Sequence, residues 1–169
     1  MMSEALETGT PSFIDRFPQE ASVVRASLIS SFIALFLGAI FGLIQALHRT
    51  DVFRFLDSQY YYTVLTAHGV LMVVSFTIFF LVGLFTWATV RSLGRPLVDI
   101  RYTWAWYGLM AIGTLMAVVA ILGGFVPSSD SSADVLFTFY APIPAHPFFY
   151  GGLAIFIIGT WLAGAGRFP

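Results

Sequence analysis

The fold of this chain is decided by the stretch YYYTVLTAHGVLM, residues 60–72, which opens a long apolar run. From residue 60 to residue 90, His68 is the only side chain that can carry charge near neutral pH. An apolar run of about 18 residues or more predicts a transmembrane helix, and an ionisable group inside one is costly, which indicates a functional site. Neutral imidazole is a common ligand of iron, copper and zinc, and Gly69 beside it allows a flat or bulky group to approach the backbone. We therefore interpret His68 as a candidate metal ligand, with a buried porphyrin as one candidate partner.

A second interpretation of His68 requires no cofactor. A histidine in a membrane helix can hydrogen-bond to a backbone carbonyl, or to a Ser or Thr side chain, of a neighbouring helix. The sequence alone leaves both interpretations open.

The composition is typical of a protein of the lipid bilayer. Of the 169 residues, 58% are hydrophobic and 10% are charged, and the mean hydropathy is +0.85. A soluble domain carries about 25% charged residues. The net charge of −1 argues against a nucleic-acid partner. Because the chain has no cysteine, disulfides, thiolate catalysis, iron–sulfur clusters and cysteine-ligated zinc are excluded.

Four apolar runs predict an all-α, polytopic membrane fold with four transmembrane helices. Each run is long enough to span a bilayer at about 1.5 Å per residue. The helices are expected at about residues 26–47, 61–87, 102–126 and 148–166. Residues 1–25 are predicted to be a polar tail in which a short amphipathic turn around Phe13 and Phe17 lies at the interface, and residues 26–169 form the membrane domain.

Two local patterns refine this picture. Gly38 and Gly42 form a G-x-x-x-G motif, which lets a neighbouring helix or a cofactor come close to the first helix. Residues 135–147 are aromatic and apolar but contain three prolines, which exclude a regular helix. We expect this stretch to fold back onto the protein as a cap.

The arginines predict the orientation, since all eight basic residues are arginine. Six of them fall in the N-terminal tail, the second loop and the C-terminus: Arg16, Arg25, Arg91, Arg95, Arg101 and Arg167. The other two, Arg49 and Arg54, fall in the first loop. The positive-inside rule then places the N-terminus in the cytoplasm. His68 would lie roughly 10 Å below the outer surface.

The other two histidines lie at the same predicted side, nearer to water. His48 adjoins Arg49 at a helix end, where an interfacial role is expected, and His146 could hydrogen-bond within the cap or reach a propionate. No two histidines have H-x-x-x-H spacing, so the pattern does not indicate a local zinc or dicopper site. No nucleophile is arranged with a histidine and a carboxylate, and we predict no catalytic residue in this chain.

Four motifs carry a resemblance to a known family. T-x-H-G-x-x-M at residues 66–72 resembles the low-spin heme ligand motif of heme-copper oxygen reductase subunit I. Three further motifs resemble its B branch, the ba-type cytochrome c oxidases: F-G-x-x-Q-A-L at 41–47, Y-Y-x-x-L-T-x-H-G-V-L at 61–71 and L-F-T-F-Y-x-P at 136–142. The family commonly shows Tyr-Pro-Pro where this chain has Ala141 between Tyr140 and Pro142.

This resemblance implies a heme site. His68 would be one axial ligand of the iron of low-spin heme b, with Gly42, Gly69 and Met72 in the binding region and His146 as a further contact. Members of the family have twelve or more helices, so the chain is expected to be the N-terminal part of such a bundle. The high-spin heme, copper B and the second heme b ligand are expected only in helices downstream of this chain.

The resemblance also implies an activity and partners. The whole subunit would reduce oxygen and translocate protons in the plasma membrane of a prokaryote. Its partners would be the remaining helices of subunit I, a subunit II with a copper centre, and cytochrome c or a small copper protein as the electron donor.

Two alternatives use the same residues differently. In the first, the chain is a self-contained four-helix membrane cytochrome b in which His68 and His146 bind opposite faces of one heme. In the second, it is a non-catalytic membrane scaffold in which His68 is only hydrogen-bonded. Each makes a different prediction for heme absorbance.

Overall fold

The computed structural model describes residues 11–50, 54, 56, 58–97, 99–123 and 146–165. These residues are almost entirely helical and contain no β-strand. The helices are α1 (Phe13–Arg16), α2 (Pro18–His48), α3 (Ser58–Gly69), α4 (Thr77–Leu93), α5 (Ile100–Leu122) and α6 (Pro147–Ala165), and a π-helical segment (Val70–Phe76) joins α3 to α4. The all-α prediction is confirmed.

Four helices in the described part of the chain are long and apolar enough to cross a membrane. They are Pro18–His48, Tyr60–Leu93, Ile100–Leu122 and Pro147–Ala165, in agreement with the four predicted spans. The second of them is one continuous helix made of α3, the π-helical segment and α4. The predicted cap falls outside the described residues, apart from His146 and Pro147 at its end.

The first two spans are longer than the apolar runs that predict them. α2 begins at Pro18, so residues 18–25 are helical although the sequence places them in the polar tail. α4 continues to Leu93 and ends at Gly94, whose φ of 62° is the left-handed conformation that glycine adopts without strain. Polar residues in the sequence mark the limits of the apolar region, but the helix continues beyond them to its capping residues.

The N-terminal tail is attached to the loop between α4 and α5. α1 is a single turn with a capping box formed by Ser12 and Asp15. The buried carboxylate of Glu20 accepts the Leu97 N–H at 3.1 Å, and Arg16 donates to the Gly94 carbonyl at 3.3 Å. The tail and the second loop therefore lie at the same end of the bundle, as the arginine pattern predicts.

α5 and α6 pack backbone against backbone through glycines. A Cβ atom at Gly113 would lie 2.5 Å from the Gly152 carbonyl oxygen, and one at Gly152 would lie 2.7 Å from the Gly113 carbonyl oxygen. At Gly159 a Cβ atom would lie 2.9 Å from the Met110 nitrogen. Small residues let membrane helices approach this closely, and the Tyr102 hydroxyl adds a bond to the Leu162 carbonyl at 2.8 Å.

α2 packs along the whole second span. The Gly38 and Gly42 motif faces the upper part of that span, where it contacts α3 and the π-helical segment, and Gly83 of α4 faces Ser27 lower down. Phe79 connects this pair to the other two helices, since its ring centroid lies 5.9 Å from that of Phe156 and 5.8 Å from that of Tyr107. The result is two closely packed helix pairs joined by an aromatic core.

Candidate functional site

His68 projects from α3 toward α2. Its Nδ1 lies 2.8 Å from the Gly38 carbonyl oxygen, and its side chain is half-buried. Within the part of the chain that the structure describes, Nε2 has no hydrogen-bond partner. One nitrogen of the ring is therefore held by the neighbouring helix while the other is left available.

The imidazole lies directly on Gly42. A Cβ atom at this position would lie 2.8 Å from both Cε1 and Nδ1 of His68, so any larger residue would displace the ring. Gly38 makes the equivalent space for Met72, whose Cγ and Sδ would each lie 2.8 Å from a Cβ atom there. The G-x-x-x-G motif thus forms a slot in α2 that receives two side chains of the second span.

The hydrogen bond to Gly38 selects one tautomer of a neutral His68. A carbonyl oxygen only accepts, so Nδ1 carries the hydrogen and the lone pair of the ring is on Nε2. Metal-bound histidines are commonly oriented in this way, with the second ring nitrogen donating to a backbone carbonyl. The residues present fit an imidazole ligand to a heme iron through Nε2. The hydrogen bond expected from the cofactor-free interpretation is also present, and it leaves that nitrogen free for a metal.

The other predicted contacts differ in their surroundings. A Cβ atom at Gly69 would have no atom within 4 Å, so the space beside this residue contains no protein in the described part of the chain. Met72 is used in packing against Gly38. The structure does not test the assignment of Gly42, Gly69 and Met72 to a heme pocket, and that assignment stays a prediction.

His146 and His48 both have local partners. Nδ1 of the exposed His146 accepts the Phe148 N–H at 3.2 Å, at the start of α6. Nδ1 of His48 accepts the Leu56 N–H at 3.2 Å, and its ring stacks near that of Tyr61 with centroids 5.0 Å apart. Among the described residues, no three His, Cys, Asp or Glu side chains form a group that could hold a metal ion.

The structure adds groups that sequence reasoning missed. The first is the Gly38 carbonyl, which the G-x-x-x-G motif signals because a helix without side chains on one face exposes its backbone. The second is a polar cluster at the predicted outer ends of α2 and α3. There the Arg49 Nε donates to the Tyr61 hydroxyl at 2.8 Å, and the buried Gln45 also hydrogen-bonds to Tyr61. Gln45, a polar residue in an otherwise apolar run, was the feature of the sequence that could have indicated this cluster.

Comparison with known proteins identifies the class. Residues 22–168 match the sequence model of the family described as Cytochrome C and Quinol oxidase polypeptide I. The chain therefore belongs to this family, and the resemblance to subunit I of the heme-copper oxygen reductases is confirmed at that level.

One relative is a particular oxidase subunit. The chain is 33% identical over 144 residues to cytochrome c oxidase subunit 1 of Thermus thermophilus, an alignment that covers 80% of this chain and 24% of that protein. The chain thus spans about a quarter of the length of this relative.

Proposed function

We propose that this chain is the N-terminal part of the catalytic subunit of a terminal cytochrome c oxidase of the B branch, and that Nε2 of His68 is an axial ligand of its low-spin heme b. The observation that carries the proposal is the 2.8 Å contact between Nδ1 of His68 and the Gly38 carbonyl oxygen, which leaves Nε2 as the free ligand atom. Family membership and the identity to the Thermus protein support the same reading.

Each residue of the site has a distinct part in this proposal. The Gly38 carbonyl fixes the tautomer and the ring plane of His68, and Gly42 provides the space in which the ring lies. The open space beside Gly69 would accommodate the macrocycle, and Met72 packs on Gly38 between α2 and the second span. When bound between two histidines, a low-spin heme supplies reversible one-electron transfer without binding oxygen.

The rest of the machinery belongs to the longer protein. The second heme b ligand, the high-spin heme and copper B would come from downstream helices of a bundle of twelve or more. The complete enzyme would include a subunit II with a copper centre, take electrons from cytochrome c or a small copper protein, and translocate protons. It would lie in a prokaryotic plasma membrane with the N-terminus in the cytoplasm.

The test is His68→Ala in the assembled membrane complex. We expect loss of the low-spin heme b absorbance and of its electron paramagnetic resonance signal, because Ala supplies no ligand. His48→Ala is the control, since His48 lies at the adjoining end of α2, where its Nδ1 accepts the Leu56 N–H. Six-coordinate heme b at the wild-type level in the His68→Ala complex would rule out the proposed ligand.

A further inference from the structure

The second span changes its helical register immediately after the His68-Gly69 pair. Residues Val70–Phe76 are π-helical, whereas the segments before and after them are α-helical. Such segments are rare and are frequently found at functional sites. This one has no proline to cause it, and its middle residue, Val73, faces outward with 48% of its surface exposed.

The middle of the segment, at Val73, lies between two contacts of the second span with α2. Above it, the His68 ring lies on Gly42, and below it, a Cβ atom at Gly83 would lie 3.1 Å from Cβ of Ser27. Each residue of an α-helix rotates the chain by about 100°, so one residue more or less between the contacts turns one of them away from α2. A widened turn accommodates one extra residue locally, so that His68 and Gly83 both still face α2.

A widened turn has a cost inside a membrane, because it disturbs the pairing of backbone N–H and carbonyl groups where no water can replace it. Thr77 meets this need. Its N–H donates to the Val74 carbonyl, and its hydroxyl donates to the Met72 carbonyl at 3.0 Å. The side chain thus provides a hydrogen bond across the π-helical segment, five residues back along the chain.

We propose that Thr77 is a positioning residue for the heme ligand: its hydroxyl stabilises the π-helical register that keeps His68 seated on Gly42. This inference rests on the proposed function for its heme readout. The register itself can be measured without heme.

The first experiment compares Thr77→Val with Thr77→Ser in the assembled complex. Valine keeps the shape but removes the hydroxyl, and we expect heme b to be lost about threefold faster in detergent, the factor that a typical hydrogen bond between membrane groups contributes. The midpoint potential of heme b should shift as well. Thr77→Ser should behave as wild type. Thr160→Val is the matched control, since its hydroxyl bonds the Phe156 carbonyl at 2.9 Å within the regular helix α6.

The second experiment removes the extra residue. Deletion of Val73 should allow a continuous α-helix, in which the Met72 carbonyl pairs with a backbone N–H and the Thr77 hydroxyl is no longer needed. Heme b should therefore be retained, and Thr77→Val should have no further effect in this background. Deletion of Leu81, which is 36% exposed within α4, is the control and should turn the two contacts out of phase.

Disulfide pairs report on the register without heme, because this chain has no native cysteine. One pair is Gly38→Cys with Leu71→Cys, for which the Cβ separation is 3.3 Å, and the other is Ser27→Cys with Gly83→Cys at 3.1 Å. These separations are close to those that a disulfide requires. Both pairs should still cross-link after deletion of Val73, and the second should fail after deletion of Leu81.

The outcomes separate the two proposals. A wild-type complex without heme b would refute the proposed function, while the cross-links would still decide the register. If deletion of Val73 abolishes either cross-link as deletion of Leu81 does, or if Thr77→Val and Thr160→Val change heme b equally, the role of Thr77 is overturned.

Discussion

Two helix pairs in this molecule use glycine for close approach, with different results. Between α5 and α6, the space left by Gly113 and Gly152 is filled by the backbone of the opposite helix. Between α2 and the second span, the space left by Gly38 and Gly42 is filled by the ends of the Met72 and His68 side chains. A backbone cannot move aside without moving its helix, whereas the end of a side chain can.

Because of this difference, the two helix pairs have different structural roles. The α5–α6 contact fixes the distance between two helices, and its loss would affect the stability of the whole bundle. The α2 slot fixes the position of an imidazole, and its loss would affect the His68 ring first. The α5–α6 glycines therefore hold two backbones together, whereas Gly38 and Gly42 position the Met72 and His68 side chains.

The largest effect is expected at Gly152. Gly152→Ala places a Cβ atom 2.7 Å from the Gly113 carbonyl oxygen and 2.8 Å from the Ala117 nitrogen, so α5 and α6 must separate. We expect a loss of about 3 kcal/mol in the free energy of unfolding, the upper end of the range for overpacked sites. Denaturation of the assembled complex in sodium dodecyl sulfate measures it.

Gly151→Ala is the matched control on the adjacent residue. There the nearest atom to a Cβ would be Cε of Met116 at 3.6 Å, an ordinary contact. Because alanine favours a helix over glycine, this variant should be unchanged or more stable by up to about 1 kcal/mol. Equal destabilisation by both variants would contradict a backbone contact at Gly152.

A smaller and more local effect is expected at Gly42. Gly42→Ala would push the His68 ring off its position, and we expect heme b affinity to fall about tenfold, as for other groups that orient a metal ligand. The unfolding midpoint should change little, since the ring can move. Heme b per complex and its midpoint potential are the measurements.

Gly108→Ala on α5 serves as the control, because a Cβ atom there would meet nothing within 4 Å. If Gly42→Ala lowered the stability of the bundle as much as Gly152→Ala while leaving heme b unaltered, the distinction between the two glycine contacts would fail.

The smallest effect is expected at His146, which directly precedes α6. His146→Ala removes the acceptor for the Phe148 N–H and should cost about 0.5–1 kcal/mol, with no change in the six-coordinate heme b spectrum. Loss of one axial ligand in this spectrum would instead favour the self-contained cytochrome b.

The sequence predicted the four spans well because a bilayer imposes a length and a composition that can be counted. It predicted the ends of α2 less well, since Glu20 and Arg25 are charged but lie in a helix that continues beyond the apolar region. It could not predict the π-helical segment, because the residues from Val70 to Phe76 are apolar in either register and no periodicity distinguishes them.

The candidate site was likewise predicted only in part. His68 was predicted from its cost in an apolar run, and the Gly38–Gly42 motif from its spacing. Their meeting was not predicted, since the relative rotation of two helices depends on packing along their whole length. The family was predicted from motifs of this chain and is confirmed, while the role of each site residue remains a proposal.

The attachment of Glu20 to Leu97 has a consequence for biogenesis. The two groups are 77 positions apart, so during translation the carboxylate of Glu20 is made long before its N–H partner exists. The contact can form only after α2 has carried the chain across the membrane and the second span has returned it to the starting side. Closure of this contact thus marks a completed pair of crossings.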